Sequence, residues 1–360
     1  MLKKVISKGN ANIVACVYEK KEHKISASLL DEDAVKIVNK IKYFGGDAFI
    51  VGGAVRDLIL GKKPKDFDIV TSMTPSQLKS HFRNVRIIGH RFKLAHFYFQ
   101  NNKIIEVATF RALESKSNVN IYGSIEEDAY RRDFTINALY YDPGSQKIYD
   151  YVGGYEDLIE NKRLVEIIDR EKIFKEDPVR IIRGIKYSIK DGLSIGRELR
   201  AKMEEDAAMI EDVSTSRLFE ELIKILQSGQ SLEILKELQK VGILNYILPK
   251  ISYDIKIGNP VLTANLKYFD TVISNFPVTR NKIIELGAYS MIAHVYNKIN
   301  VRSRENRDVI KRDLFTTLKV IFRHFNIPNK NLEGIVKLLM DRTSVLLDND
   351  SNVRKTDGKH

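Results

Sequence analysis

The feature that most constrains the fold of this chain is a change of period near residue 155. Before it, short apolar or alternating runs are separated by glycine- and asparagine-bearing turns; after it, apolar residues recur at helical spacing. Ala34, Val38 and Ile41 recur at i, i+4 and i+7 after Asp31, and Gly45-Gly46 stop that helix. Ala48-Phe-Ile-Val51 reads as a strand, Gly52-Gly53 as a turn, Ala54 to Leu60 as a short helix closed by Gly61, and Lys65 to Val70 as a second strand. Thr74-Pro75 starts a helix, with threonine as cap and proline in the first turn. Leu94 to Phe99 and Ile104 to Phe110 are strands separated by Asn101-Asn102. Farther on, Leu314, Leu318, Ile321 and Phe325 share one helical face, Pro260, Pro277 and Pro328 punctuate the region, and no internal repeat occurs. The expectation is an α/β unit with a small mixed sheet over 26–155, preceded by an irregular extension over 1–25. Two all-helical segments follow over 156–245 and 246–348, then a frayed polar tail over 349–360.

Composition excludes several classes. No apolar run approaches the roughly 18 residues needed to span a bilayer, and Lys8 interrupts the only stretch that begins like a signal peptide. No membrane role is expected, and the chain reads as untargeted and cytoplasmic. Cys16 is the only cysteine, which excludes an intramolecular disulfide and a zinc cluster. The formal charge of +12 gains meaning only beside chemistry that needs a polyanion.

Such chemistry is suggested between residues 52 and 106. Asp66 and Asp68 sit two apart on an expected strand, so both carboxylates share a face, while Phe67 and Ile69 point into a core. Adjacent carboxylates repel unless a cation lies between them, and oxygen ligands of this kind suit Mg²⁺. Gly52-Gly53 lies at a strand-to-helix turn whose free N–H groups can hold a phosphate, with Arg56 one turn into the helix. Glu106 interrupts an apolar strand, so it lies at an exposed edge or is held by a metal or a base. Taken singly, each feature has a plain alternative as a surface pair or an ordinary turn.

As a set, these residues resemble the head of the class II nucleotidyltransferases, a branch of the polymerase-β superfamily containing bacterial poly(A) polymerases and tRNA CCA-adding enzymes. The first motif reads Gly52-Gly53-Ala-Val-Arg56-Asp57 followed by Asp66-Phe-Asp68; the second reads Arg131-Arg132-Asp133-Phe-Thr-Ile-Asn137. The nucleotide-selecting motif is matched by Glu176-Asp177-Pro-Val-Arg180-Ile-Ile-Arg183, and a later helical motif by Ser216-Arg217-Leu-Phe-Glu220-Glu221. Within the family the likeness is to the poly(A) polymerases, through Phe82-Arg83-Asn84-Val-Arg86, Gly89-His-Arg91-Phe92-Lys-Leu94-Ala95-His96 and Gly123-Ser-Ile-Glu126-Glu127-Asp128. Two departures are a short Arg111–Gly123 segment and no basic extension after the last helical segment.

The resemblance implies a nucleotidyltransferase head, a helical neck carrying the selecting motif, and an RNA-binding helical body. It implies two Mg²⁺ ions on Asp66 and Asp68, with Glu106 beside them. Arg131, Arg132 and Asn137 would grip the triphosphate and ribose through charge-assisted bonds, with Asp133 orienting them. Asp177 would accept from an exocyclic amine and Arg180 donate to a ring nitrogen, a pattern that adenine and cytosine share and guanine and uracil lack. Arg183 follows on that helix, and Lys186 stands where the family often has arginine. Asp177-Pro178 is equally a helix cap followed by a first-turn proline. The implied reaction is addition of AMP from ATP to an RNA 3′ end, on a messenger or small RNA. CCA synthesis on tRNA, using CTP as well, is the second choice. A non-catalytic RNA-binding protein of the same fold is the third. Lys298, Arg302, Arg304, Arg307, Lys311, Arg312, Lys319 and Arg323 form a solvated basic face or an RNA backbone contact. His81, His90 and His96 lack metal-ligand spacing and read as structural.

Overall fold

A computed structural model of the chain describes residues 2–8, 11–89, 93–112, 122–296 and 307–341. His90, Arg91, Phe92, most of the short Arg111–Gly123 segment, Lys298, Arg302, Arg304 and the polar tail lie outside the described residues. The chain forms two units. The first runs to Ile173 and includes Leu193–Gly196; the second comprises Phe174–Gly192 and the chain from Arg197 onward.

The first unit is built on a mixed sheet of nine strands: β1 Leu2–Lys8, β2 Ala11–Tyr18, β3 Ala48–Val51, β4 Asp68–Thr71, β5 Val85–Ile88, β6 Leu94–Tyr98, β7 Ile104–Thr109, β8 Leu139–Asp142 and β9 Lys147–Asp150. Their spatial order is β1-β2-β9-β8-β3-β4-β7-β6-β5. Only the β4–β7 pair in this sheet is parallel. β1 and β2, in a stretch expected to be irregular, instead pair antiparallel and extend the sheet by pairing β2 with β9, Val17 opposite Tyr149. The run Ile13-Val14-Ala15-Cys16-Val17 is apolar and rich in β-branched residues, which favours a pleated strand over the lysines around it.

Sequence patterns set the local boundaries. Asp31 caps the helix Glu32–Tyr43 by accepting from the N–H groups of Asp33 and Ala34 at 3.0 and 3.1 Å. That helix buries Ala34, Ile37, Val38 and Ile41 and packs against β3 and β4. Thr74 and Gln77 form a capping box at the helix Pro75–His81. Across the central strands Ile50, Ile69 and Val107 lie in one buried row. On the other face Val51, Val70, Phe110, Ala138 and Tyr140 form a core with Ala129 of the helix Ile125–Tyr130.

One feature of this unit was not legible beforehand. The buried carboxylate of Asp150 accepts four backbone N–H groups, from Val152, Gly153, Gly154 and Tyr155, at 2.9 to 3.1 Å. Burial pushes its pKa up, against the pull of those bonds. Gly153 takes φ of 84°, and the helix Gly154–Ile159 begins there. Gly154 lies so close to Thr135 that an added Cβ would sit 2.1 Å from the Thr135 carbonyl oxygen. Thr135 also donates its hydroxyl to Asp157 of that helix at 2.8 Å. The short helix therefore clamps the segment carrying Asp133 and Asn137.

The second unit is helical. The helices Val179–Asp191 and Thr215–Leu226 pack together, joined by a buried ion pair of 2.5 Å between Lys186 and Glu221. Leu314 and Leu318 of the helix Arg307–Ile321 are buried, as are Phe322 and Phe325 just beyond it, whereas Lys311, Arg312, Lys319 and Arg323 are exposed. No helix among the described residues is long and apolar enough to cross a membrane.

Gly154→Ala is expected to destabilise the chain by about 1–3 kcal/mol, since a backbone carbonyl rather than a flexible side chain must yield. Urea unfolding with the midpoint unchanged from the parent would show that the close approach to Thr135 is not needed.

Candidate active site

Gly52 ends β3 with φ of 68° and ψ of −131°, a conformation that only glycine adopts without strain. The helix Gly53–Ile59 follows at once. An added Cβ at Gly52 would lie 4.0 Å from Oδ2 of Asp68, so the turn and that carboxylate face each other closely. Asp68 sits opposite Val51 on one side and Glu106 on the other. Both Asp68 and Glu106 are exposed. The core on this face stops one step along the strands, at Val70 and Ala108.

Asp66 was expected on the same strand, but β4 begins at Asp68. Its neighbour β3 has already turned away at Gly52, so the ladder has no partner to offer Asp66 on that side. The alternation persists nonetheless: Phe67 is buried between two exposed acids. Glu106 is also met by a base. Nε2 of His96 lies 3.4 Å from its Oε1, which gives His96 a place at the site that its sequence context did not signal.

Beneath this surface lies a buried polar network. Arg56, only 3% exposed, donates to Oδ1 of Asn137. Asn137 donates to Oδ1 of Asp133 at 2.6 Å, and that oxygen also accepts the Phe134 N–H at 2.9 Å. Arg132 donates to Asp128 through Nη2 at 2.8 Å and Nε at 3.1 Å, and through Nη1 to the Asn137 carbonyl at 3.1 Å. Tyr140 donates its hydroxyl to the same Asp128 oxygen at 2.8 Å. Burial opposes the charge on Arg132, yet Tyr140 and Asp128 outweigh it and raise the pKa. Burial likewise works against the Asp128 carboxylate, and Arg132 overcomes it and holds the pKa below the ordinary value. Arg131 donates to the Ala112 carbonyl. Asp128 and Tyr140 are thus the partners that the sequence reading missed, and Arg132 is anchored to both.

The motif expected to select the nucleotide lies in the second unit. Oδ1 of Asp177 accepts the Val179 N–H at 3.2 Å, as a helix cap does, while Oδ2 takes a 2.7 Å ion pair from Arg217. Arg180 pairs with Glu176 at 3.1 Å, and Nε of Arg183 donates to the Tyr187 hydroxyl at 3.2 Å. Lys186 is buried against Glu221, whose pKa is lowered because Lys186 and Lys224 outweigh its burial. The Ser216–Glu221 motif is accounted for in the same way: Arg217 holds Asp177, Glu220 takes Arg280 at 2.5 Å, and Glu221 holds Lys186.

The acids of the first unit suit a hard divalent cation. Asp66, Asp68 and Glu106 offer only oxygen donors and are exposed at one end of the central strands. Among the described residues no three His, Cys, Asp or Glu side chains form a metal cage by themselves. Mg²⁺ is commonly held in that way, by one or two carboxylates with water and phosphate oxygens completing the octahedron.

Comparison with known proteins gives this arrangement a lineage. Residues 48–165 match the poly A polymerase head domain, and residues 192–255 match a region described as the probable RNA- and SrmB-binding site of polymerase A. The chain is 40% identical to poly(A) polymerase I of Escherichia coli O157:H7 over 282 residues, 72% of this chain and 60% of that protein. It is 29% identical to the CCA-adding enzyme of Staphylococcus haemolyticus over 280 residues, 73% of this chain and 69% of that one. The chain thus spans between 54% and 60% of the length of the first poly(A) polymerases that it matches. In fold it resembles the Bacillus stearothermophilus CCA-adding enzyme crystallised with CTP, with a TM-score of 0.58 at 23% identity, covering 86% of this chain and 82% of that one. The chain belongs to the polymerase-β-type nucleotidyltransferases, the family of the bacterial poly(A) polymerases and CCA-adding enzymes.

Proposed function

We propose that the protein is a template-independent RNA 3′-terminal nucleotidyltransferase of the poly(A) polymerase type, adding AMP from ATP. The observation that carries this is the pair of exposed carboxylates, Asp68 and Glu106, side by side next to the glycine turn at Gly52. Enzymes of this family generally use a divalent metal, and Asp66 and Asp68, with Glu106 alongside, are the residues to hold Mg²⁺. Bound Mg²⁺ supplies acidification of the RNA 3′ hydroxyl and neutralises charge on the triphosphate and the leaving pyrophosphate. In the transfer, the RNA 3′ oxygen bonds to the α-phosphorus as the bond to the bridging oxygen breaks and pyrophosphate departs.

The chain's own residues prepare that step. Gly52 and Gly53 give the triphosphate close access to backbone N–H groups. Arg131 and Arg132 bring positive charge to the same end, and Asp133 and Asn137 fix Arg56 in place behind it. Asp177 and Arg180 read the base, in a position kept rigid by Arg217 and by the Lys186–Glu221 pair; Arg183 adds charge nearby. Such a pair accepts adenine and cytosine alike, so CCA addition to tRNA is the second reading, favoured by the relatives that carry that name.

Asp68→Asn should abolish Mg²⁺-dependent incorporation of labelled ATP into RNA while RNA affinity stays within twofold or so, because removing one charge at a metal site affects chemistry far more than backbone contacts. Substantial residual incorporation would remove Asp68 from the metal site.

Asp177→Ala should relax discrimination against GTP and UTP by about tenfold or more, the worth of one good polar readout of about 1–3 kcal/mol. Arg217→Ala, which frees the same carboxylate, should shift preference in the same direction and by less. If Asp177→Ala lowers the melting temperature and leaves nucleotide preference untouched, Asp177 is a helix cap and nothing more.

An unstructured RNA should be extended by many adenylates from ATP alone. Offered in parallel, a tRNA lacking its CCA end should show no requirement for CTP before extension begins. Extension of the tRNA only, stopping after C-C-A, would replace the poly(A) reading with CCA addition.

A further inference from the structure

The site's carboxylates continue into a row that crosses four strands on one open face. Asp68 pairs with Glu106, Glu106 with His96, and His96 with Arg86, across β4, β7, β6 and β5 in turn. Residues opposite one another in a sheet share a face, so the four side chains form a line from acid to base. Three strand spacings of about 4.8 Å put Arg86 about 14 Å from Asp68. Tyr98 follows His96 by two on the same face, and the Arg86 guanidinium lies over its ring at 5.4 Å. Tyr98 is 36% exposed and Arg86 is exposed as well. Tyr98 sits opposite Ile104, itself 46% exposed, and its own carbonyl is held by the Asn84 side-chain amide at 3.1 Å. A cation and an aromatic ring exposed on a sheet face, with none of the described residues burying them, are poorly explained by folding alone.

We propose that the β5–β6–β7 face is the track for the RNA strand immediately behind its reacting 3′ end, with a base stacked on Tyr98 and a phosphate held by Arg86. The proposal rests on the nucleotidyltransfer reading above. Single-stranded RNA is the occupant because the face supplies the two elements that bind it without regard to sequence: a stacking ring and a cation for the backbone. It is also continuous, through His96 and Glu106, with the acid where the 3′ hydroxyl must react. The gradient orients the strand as well: phosphates are drawn to the Arg86 end, and the uncharged 3′ hydroxyl is left at the Asp68 end.

The test uses the full chain and a 5′-labelled single-stranded oligonucleotide carrying 4-thiouridine next to its 3′ end. Irradiation without ATP should crosslink this RNA to the peptide containing Tyr98 or to that containing Arg86. Tyr98→Ala should raise the KM for RNA about tenfold or more, in line with the loss of one stacked base, with the KM for ATP unchanged. Tyr98→Phe, which keeps the ring, should restore the RNA KM. Arg86→Gln should flatten the plot of log affinity against log salt by about 0.7, one phosphate contact on a single strand. Crosslinks confined to other peptides, or an RNA KM and salt slope unmoved by these substitutions, would overturn the track. A wild-type chain that crosslinks at Tyr98 yet transfers no nucleotide would instead overturn the reaction and leave the track standing.

Discussion

Arg132 is a guanidinium largely withdrawn from solvent in the first unit, and the candidate site at the end of the sheet depends on how that charge is met. Removing a cation from water costs several kcal/mol after relaxation, so the pairing must be close and complete. Here Asp128 supplies the opposite charge, the Tyr140 hydroxyl bridges both, and the Asn137 carbonyl takes another N–H. Such a network is tolerable only when every member is satisfied, and then it permits one arrangement. Tyr140 belongs to β8 and Asp128 to the helix Ile125–Tyr130, so the network ties that helix to the sheet. Ala129 of the same helix packs in the core with Val70 and Ala108 on that face. The acids one step along the strands remain in the open.

The same segment is gripped from its other end. Asn137 links Arg56 to Asp133, and Gly154 allows the helix Gly154–Ile159 to lie directly on the Thr135 carbonyl. Asp150 fixes the start of that helix with four N–H contacts. Residues 128–137 are thus held between a part-buried ion pair and a glycine contact. This is how a segment that is neither strand nor long helix keeps several polar side chains fixed.

What was legible in the sequence follows from what is local. The helix start at Asp31, Thr74 as a cap before Pro75, the strand Ala48–Val51 and the glycine turn at Gly52 each depend on a few consecutive residues, and each lies where the pattern put it. Register is not local. That Asp68 meets Glu106 depends on a parallel pairing across 38 positions, and that His96 meets Glu106 depends on the β6–β7 hairpin. His96 therefore read as structural, and Asp66 read as part of a strand that in fact starts two residues later. The partners of charged residues were hidden for the same reason. Arg132 was legible as a cation near the site, but nothing in its neighbourhood of sequence announced that Tyr140 would complete its burial.

The helical unit makes the complementary point about specificity. Helical spacing put Arg180 and Arg183 near one side of a helix, and both lie on the helix Val179–Asp191, with Asp177 just before its start. It did not reveal that each charged residue of Ser216-Arg217-Leu-Phe-Glu220-Glu221 would reach another element: Arg217 to Asp177, Glu220 to Arg280 and Glu221 to Lys186. For the proposed base readout a carboxylate must not rotate, because a readout worth about 1–3 kcal/mol is lost if the acceptor can turn away. Asp177 is restrained at both oxygens, by a backbone N–H and by Arg217, and the helix that follows it is locked by a pair of buried charges. A buried ion pair contributes little net stability against an apolar alternative, but it punishes any sliding of one helix along the other. Lys186 in place of a planar guanidinium fits that duty: a compact ammonium meets Glu221 where both are buried, and the charge serves to hold the helix Val179–Asp191 in register.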